Sequence, residues 1–376
     1  MKSLSRTQGV LLKNTKLPTP NAFQKRYSHQ QAINFRSSGN KQLGNTHTNF
    51  PVATVFGCSG FLGRYIVGSL SDLGYQVILP HRFSDYDVIG LKCLGDVGQI
   101  VPMRFALDKF DTLTDITSRS NIVINALGRD VNKLFDDSMY NSNVYSTEQI
   151  VKACNETKVG RYIHVSCINA QANHESKYWA TKGIAEETVR NEIPSATIIK
   201  PNYIYGTEDR FLNWIAKTMR FTSGVPLVNE GSAKVQPAYC VDVGDAIANA
   251  AISRHTVGRT IELNGPEVFT WYELLHVTAK IIEENPNSLN LSPFIAQFFG
   301  KLNEFTWGPA FTEDLMVRQR YDSVATENPE THDIMTFEDC GVKPQKLKDC
   351  AGQFLAQWNK QDVDHLKIDT KLSIKR

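Results

Sequence analysis

The stretch Val52–Gly63, VATVFGCSGFLG, constrains this chain more than any other. Val52 to Phe56 is a short β-branched and aromatic run, the pattern of a strand buried on both faces. Gly57, Gly60 and Gly63 follow at three-residue intervals. Arg64 to Leu73 then carries Tyr65, Ile66, Leu70 and Leu73 at helical spacing. Strand, glycine turn and helix in that order make the setting a dinucleotide fingerprint requires. Gly57 permits a tight turn, Gly60 lets backbone approach a pyrophosphate, and Gly63 lets the helix pack close to the strand. The amide groups of the helix start, Phe61 and Leu62 among them, then face the phosphates, with Ser59 beside them. The alternative is a glycine-rich turn with no ligand.

The chain beyond it alternates strand and helix patterns. Strands are expected at Tyr75–Pro80, Gln99–Phe105, Asn121–Ala126, Arg161–Ser166 and Ala196–Pro201, with helices at Asp111–Arg119, Asn141–Thr157 and Lys177–Asn191. This spacing argues for an α/β fold, a Rossmann-type doubly wound parallel sheet. Ligands of such a sheet sit beyond the carboxyl ends of its strands. Asn125, Ala126, Leu127 and Gly128 should therefore border the nicotinamide-side ribose. Ser166 and Pro201 should lie near it at the ends of the fifth and sixth strands. At the end of the second strand, NAD-selective folds place an acid for the ribose 2′-hydroxyl. Here the chain has His81-Arg82. An arginine can pair with a 2′-phosphate, so NADPH is expected as the cofactor, with Arg64 a second candidate for the same phosphate. A solvated loop role for Arg82 is the alternative.

One catalytic pattern stands on its own. Tyr178-Trp-Ala-Thr-Lys182 is Y-x-x-x-K on a helix after the fifth strand, and spacing of four puts both side chains on one face. A lysine ammonium near the phenol would lower its pKa and ready it for proton transfer at a carbonyl. Any helix can carry the pair by chance.

Charge is uneven. Residues 1–50 hold eight basic residues and no acid, so 33 basic against 39 acidic residues remain in 51–376, a formal charge of 33 − 39 = −6. The body has no basic excess that would point to nucleic acid. An acid-free, Arg-, Ser- and Asn-rich leader matches a mitochondrial transit peptide over 1–27, Lys25-Arg26-Tyr27-Ser28 resembling a matrix-protease site, with a disordered basic tail as the alternative. Residues 28–50 would be an extended arm. Seven scattered cysteines without a C-x-x-C suggest neither a disulfide framework nor a metal site. No apolar run reaches eighteen residues, so no membrane-spanning helix is expected.

The nucleotide-binding domain is expected over 51–205 and a smaller α/β lobe over 206–285. The lobe should hold helices at Arg210–Thr222, Val241–Ile252 and Thr270–Glu284, and strands at Val235–Tyr239 and Thr260–Leu263. Glu284 to Ser288 reads as a linker to a helical extension, 286–376. Within it, Leu291–Phe305 carries Phe294, Ile295, Phe298, Phe299, Leu302 and Phe305 at helical spacing, with Trp307 beyond. This face could meet a membrane surface, a neighbouring subunit or the protein's own lobe. Phe311–Arg320 and Lys346–Trp358 read as further amphipathic helices, and Asn359–Arg376 as a polar tail.

Several stretches together resemble one family. They are ATVFGCSGFLGRY (53–65), VILPHR (77–82) through LGDVGQI (94–100), VINALGRD (123–130), YIHVS (162–166) with Asn169-Ala170, KPNYIYG (200–206), EDRFLN (208–213) and QPAYCVDV (236–243). These resemble the NADPH-binding accessory subunits of mitochondrial respiratory complex I, atypical members of the extended short-chain dehydrogenase/reductases, in which the G-x-x-G-x-x-G spacing is typical. The resemblance covers about residues 35 to 270. It implies a tightly held NADPH off the electron path and partners among the other complex I subunits. It further implies a place on the matrix side of the inner membrane, near the quinone region. In active short-chain enzymes a serine or threonine follows the fifth strand. Ile168 takes that slot here, Ala106 replaces an aspartate expected near the adenine, and Asn202 replaces a serine after the sixth strand. The resemblance therefore implies no turnover. The competing reading is a matrix NADP-dependent reductase or epimerase using Tyr178 and Lys182.

Overall fold

Successive side chains of a strand point to opposite faces, so the continuous apolar runs of these short strands require cover on both, and the fold supplies it with helices. In the computed structural model the described residues are 51–82, 86–131, 138–306, 312–327, 329 and 333–359, without the side chains of 86–87 and 303–306. The expected leader and arm, Trp307, Phe311 and the tail from residue 360 lie outside them.

The sheet uses β1 (Val52–Phe56), β2 (Gln76–His81), β3 (Ile100–Arg104), β4 (Ile122–Asn125), β5 (Arg161–Val165), β6 (Thr197–Pro201), β11 (Thr260–Leu263) and β14 (Ile334–Met335). Its order is β14-β11-β6-β5-β4-β1-β2-β3, and all neighbours run parallel. Chain order reverses between β1 and β4, the switch point at which such sheets bind ligands. Ala53 and Val55 of β1 pack with Ile66 and Leu70 of α1 (Phe61–Asp72), and with Val243 and Ile247 of a helix at Cys240–Ile252. Phe56, from the opposite face, packs with Leu113 and Ile116 of α2 (Phe110–Ser118), Ile150 of α3 (Ser146–Thr157) and Val189 of α4 (Lys177–Glu192). These three layers are the expected doubly wound sheet.

The smaller lobe packs α5 (Leu212–Phe221) and α7 (Trp271–Ile282) with short strands β7 (Ile204–Tyr205), β8 (Val225–Val228), β9 (Lys234–Val235), β10 (Ala238–Tyr239) and β12 (Phe269–Thr270), whereas α6 (Cys240–Ile252) packs beside α1 on the main sheet. Phe211, Trp271 and Tyr205 are buried at its centre. Thr270 caps α7, and Glu273 returns the bond, the capping box its sequence spacing implies.

Three expectations need correcting. Val235–Tyr239 is two strands, because Gln236-Pro237 breaks the ladder between β9 and β10. The linker after Glu284 runs into β13 (Ser288–Leu291), which pairs parallel with β8. That strand escapes a sequence reading because its side chains are mostly exposed and show no apolar alternation. Nor is the extension all helical: besides α8 (Pro293–Thr306), α9 (Glu313–Arg318) and α10 (Leu347–Leu355), it adds β14 to the main sheet.

Phe294, Ile295, Phe298, Phe299 and Leu302 of α8 are exposed, Phe294 at 80 %, while Ala296 is buried. The helix therefore keeps its large apolar face outward rather than packing it on its own lobe. No described helix is long and apolar enough to cross a membrane.

Candidate functional site

The glycine turn lies at the switch point. Gly57 has φ +85°, where an L side chain is strained, and a Cβ there would come 2.7 Å from the Ala126 carbonyl oxygen. A Cβ on Gly63 would collide with the Gly57 carbonyl. The Gly60 amide donates to that same carbonyl at 3.0 Å, closing the turn. α1 has no side-chain cap at Gly60 and no acid in its first turn. Its opening amides therefore point to where an anion would rest, with Ser59 and Gly60 exposed beside them. These features fit a pyrophosphate.

The two basic candidates differ. Arg64 is held by Glu208, Nη1 to Oε1 at 2.7 Å, so meeting a phosphate would mean leaving that partner. Arg82 stands exposed just past β2. The register sets His81 opposite Arg104, so a second exposed arginine ends the neighbouring strand. Only strand pairing reveals Arg104, since it lies 22 residues along the chain.

At the end of β4, backbone rather than side chain faces the site. The Asn125 side chain is buried. Its amide donates to Thr147 Oγ1 at 3.0 Å and Tyr162 Oη at 3.3 Å, and its Oδ1 accepts from the Leu127 amide at 3.1 Å. It thus shapes the Ala126–Gly128 turn from behind. The Ser166 hydroxyl likewise turns away, donating to Glu186 Oε2 at 2.9 Å. Pro201 accepts from the Ile168 amide at 3.2 Å, joining the β5 and β6 loops.

Lys182 is buried. Its ammonium donates to Leu127 O and Val165 O, both at 2.9 Å. Burial brings its pKa down to about 8, with the nearby Cys167 opposing. The Tyr178 phenol moves the other way, well above its ordinary value. Burial is the main cause, Cys167 and Asp130 add to it, and the Arg318 guanidinium opposes it. The expectation of a lysine-lowered phenol is therefore overturned: the ammonium is spent on two carbonyls, and desolvation governs the tyrosine.

Sequence reasoning missed Asn143. It sits in a π-type turn, Asn141–Tyr145, just before α3. Its Oδ1 accepts from the Arg129 amide at 2.8 Å. Its amide donates to Arg129 O at 3.0 Å and Thr181 Oγ1 at 2.9 Å, tying the β4 loop to α4. The widened turn is what lets a fully buried asparagine reach both. The only sequence signal was a polar residue inside an otherwise buried helical face.

The lowered lysine pKa has a measurable sign. Below pH 8 Lys182 is charged in both states, and its desolvation opposes folding in full. Between about 8 and its ordinary 10.5 the folded chain releases a proton that the unfolded chain keeps, so this group's contribution to stability rises with pH. In urea unfolding of nucleotide-free protein, wild type should gain about 3 kcal/mol on Lys182→Met between pH 7.5 and 10.5. A difference independent of pH would refute the perturbed ammonium.

Comparison with known proteins agrees with this geometry. A profile described as the NAD dependent epimerase/dehydratase family matches residues 53–262. The chain is 35 % identical over 318 residues to the Arabidopsis thaliana protein named NADH dehydrogenase [ubiquinone] 1 alpha subcomplex subunit 9, mitochondrial, covering 82 % of this chain and 78 % of the relative. Its mouse (Mus musculus) counterpart is 34 % identical, covering 81 % and 80 %. The Neurospora crassa NADH-ubiquinone oxidoreductase 40 kDa subunit, mitochondrial, is 32 % identical, covering 86 % and 82 %. Among solved structures, a UDP-glucuronic acid 4-epimerase from Bacillus cereus superposes with a TM-score of 0.61 at 15 % identity, covering 81 % of this chain and 99 % of that one. Fold, glycine turn and relatives agree that the chain belongs to the NAD dependent epimerase/dehydratase family and, within it, to the subunit 9 branch of mitochondrial NADH dehydrogenase proteins.

Proposed function

We propose that this chain is a non-catalytic accessory subunit of mitochondrial complex I that holds NADPH as a structural ligand on the matrix side of the inner membrane, near the quinone region. The observation that carries the reading is 32–35 % identity, over four fifths of the chain, to relatives named as such subunits. The outward apolar face of α8 supports it, because a chain that works in an assembly has a use for such a surface. The uncapped start of α1 would take the pyrophosphate, and Arg82 with Arg104 would take the 2′-phosphate. Bound in this way, the nucleotide acts as a cross-link between the ends of β1, β2 and β4. The competing reductase or epimerase needs a phenol that yields its proton readily, and a half-buried Tyr178 whose pKa desolvation raises serves that poorly.

The test is native separation of gently solubilised mitochondria carrying the tagged full chain, followed by analysis of nucleotide released on denaturation. The chain should migrate with the large NADH-oxidising assembly and release NADP(H). A small soluble species alone would overturn the subunit reading. Release of NAD(H) without NADP(H) would overturn the role given to the arginines.

A further inference from the structure

The segment 312–326 follows an unusual path. It runs along the carboxyl ends of β5, β6 and β11, the rim where this fold places its ligands, and it is bonded to α4, β8, β11 and the loops after β5 and β6. Asp314 Oδ1 accepts from the Ser176 hydroxyl at 2.9 Å and from the Tyr178 amide at 3.4 Å, at the first turn of α4. The Arg318 guanidinium lies over the Tyr178 ring, 5.1 Å from its centroid, and pairs with Asp314 at 3.1 Å. Both are more than nine-tenths buried. Gln319, fully buried, accepts from the Val228 amide of β8 at 3.2 Å.

Beyond α9 the fastening continues. Asn169, in the loop after β5, donates to Asp322 O at 3.0 Å and Ser323 Oγ at 2.7 Å. Asn202, after β6, donates to Ser323 O at 2.7 Å. Thr326 donates through amide and hydroxyl to both carboxylate oxygens of Glu262 on β11, at 3.0 and 2.6 Å. On the outside Glu175 forms a latch. It accepts from Arg320 Nη1 at 2.8 Å, Tyr321 Oη at 2.7 Å and Gln297 Nε2 of α8 at 3.2 Å. A Cβ on Gly300 would sit 2.7 Å from the Glu313 amide, so α8 presses directly on α9.

We propose that residues 312–326 are a built-in plug that fills the substrate cleft beside Tyr178 and closes the nucleotide site to any carbonyl substrate. The inference rests on the reading of a nucleotide held without turnover, and it gives that reading a cause. Replacing the serine slot with Ile168 removes one hydroxyl, whereas the plug removes the space a substrate would need. The asparagines at 169 and 202 then have a role as anchors of the chain's own backbone. The Asp314 carboxylate offsets the buried Arg318 guanidinium that lies over the tyrosine ring.

Cys167 provides the probe. It is buried under the plug, packed with Tyr178, Trp179 and Tyr321, while Cys93 is the exposed cysteine. Full-length protein is treated with N-ethylmaleimide, and labelling is followed cysteine by cysteine by mass spectrometry. In wild type Cys93 should react and Cys167 should not. In Asp314→Ala/Arg318→Ala the Cys167 rate should rise at least about tenfold, the change expected when local opening becomes about 1.4 kcal/mol easier. The sheet-core Cys58 and Cys154 should stay protected, which separates release of the plug from global unfolding. Glu175→Gln, at the exposed latch, should give a smaller rise in the same direction and covers the case in which the double variant fails to fold. Wild-type Cys167 reacting as fast as Cys93 would overturn the proposal, as would variants that fold and keep Cys167 at its wild-type rate. So would hydrogen exchange of the wild-type Gln319 and Ser323 amides at surface-loop rates. Native migration of the same proteins reports on the subunit reading separately: an open cleft in a chain that still migrates with the large assembly overturns the plug alone.

Discussion

Gly63→Ala should abolish the stabilisation expected from the proposed NADPH ligand and also weaken the empty protein. Two effects of the added methyl oppose each other. Alanine is the better helix former, by about 1 kcal/mol. But the Cβ would collide with the Gly57 carbonyl, which is backbone and already committed to the turn through the Gly60 amide. Overpacking against backbone costs about 1–3 kcal/mol, and relief requires the turn to move. The turn that moves is the one proposed to position the pyrophosphate. A ligand at a thousand times its dissociation constant contributes about 4 kcal/mol, and the variant should lose that as well. Thermal unfolding with and without NADPH checks both parts. Gly68 is the control. It lies on the same helix, and a Cβ there would meet nothing within 4 Å. Gly68→Ala should therefore keep the full response to ligand and gain up to about 1 kcal/mol. A Gly63→Ala protein that NADPH still stabilises as it does wild type would refute this account of the turn.

Asp209→Ala should destabilise the protein strongly. The carboxylate is buried and accepts three amides: Gly206 at 2.8 Å, and Phe211 and Asn213 at 2.9 Å each. Removing it leaves three donors without a partner at the start of α5. Each unsatisfied buried group costs about 1–3 kcal/mol, so about 3–5 kcal/mol is expected once relaxation is allowed. Asp209→Asn should be milder, near 1–2 kcal/mol, because one oxygen can still serve Phe211 and Asn213. Burial raises the Asp209 pKa even though these amides oppose it, so the neutral amide also escapes part of the desolvation. Denaturant unfolding at neutral pH should rank wild type above Asn above Ala. Equal stability of wild type and Asp209→Ala would show that the loop finds other partners.

That loop explains why the wording EDRFLN was so telling in the sequence. Glu208 holds Arg64 of α1, Asp209 caps α5, and Arg210 pairs with Asp130 beyond β4 at 2.9 Å. Asn213 accepts from Trp358 Nε1 at 2.7 Å. Three of the six residues thus hold distant segments, and Asp209 fastens the loop locally. The partners of Glu208, Arg210 and Asn213 could not be read from the sequence, because each lies 80 or more residues away.

The sheet itself was legible because the strands up to β6 are short apolar runs and β1, β3, β4 and β5 are each followed by a patterned helix, so local signal and tertiary position agree. β13 and β14 were illegible for the opposite reason. Ser288–Leu291 is largely exposed, and Ile334–Met335 is two residues long, so neither carries a period. At the site, the glycines were legible because sterics act locally. The direction of the Tyr178 shift was not, because it is set by burial, with Cys167 and Asp130 from other segments adding to it and Arg318 opposing it.

The edge strand β14 also bears on the order in which the chain can finish folding. Residues from β1 to β6 can pair as soon as they emerge, yet β11 borders solvent until Ile334 and Met335 arrive. Nearby, the Asp242 carboxylate of α6 waits for the Gln345 amide, 2.7 Å away in the finished fold. A chain delivered amino end first would thus pass through an interval with its nucleotide half assembled and one parallel edge uncovered. Open edges invite pairing with other chains. Truncations between residues 264 and 333 would make that interval permanent, so the protein's susceptibility to aggregation is set by its last hundred residues rather than by its nucleotide-binding core.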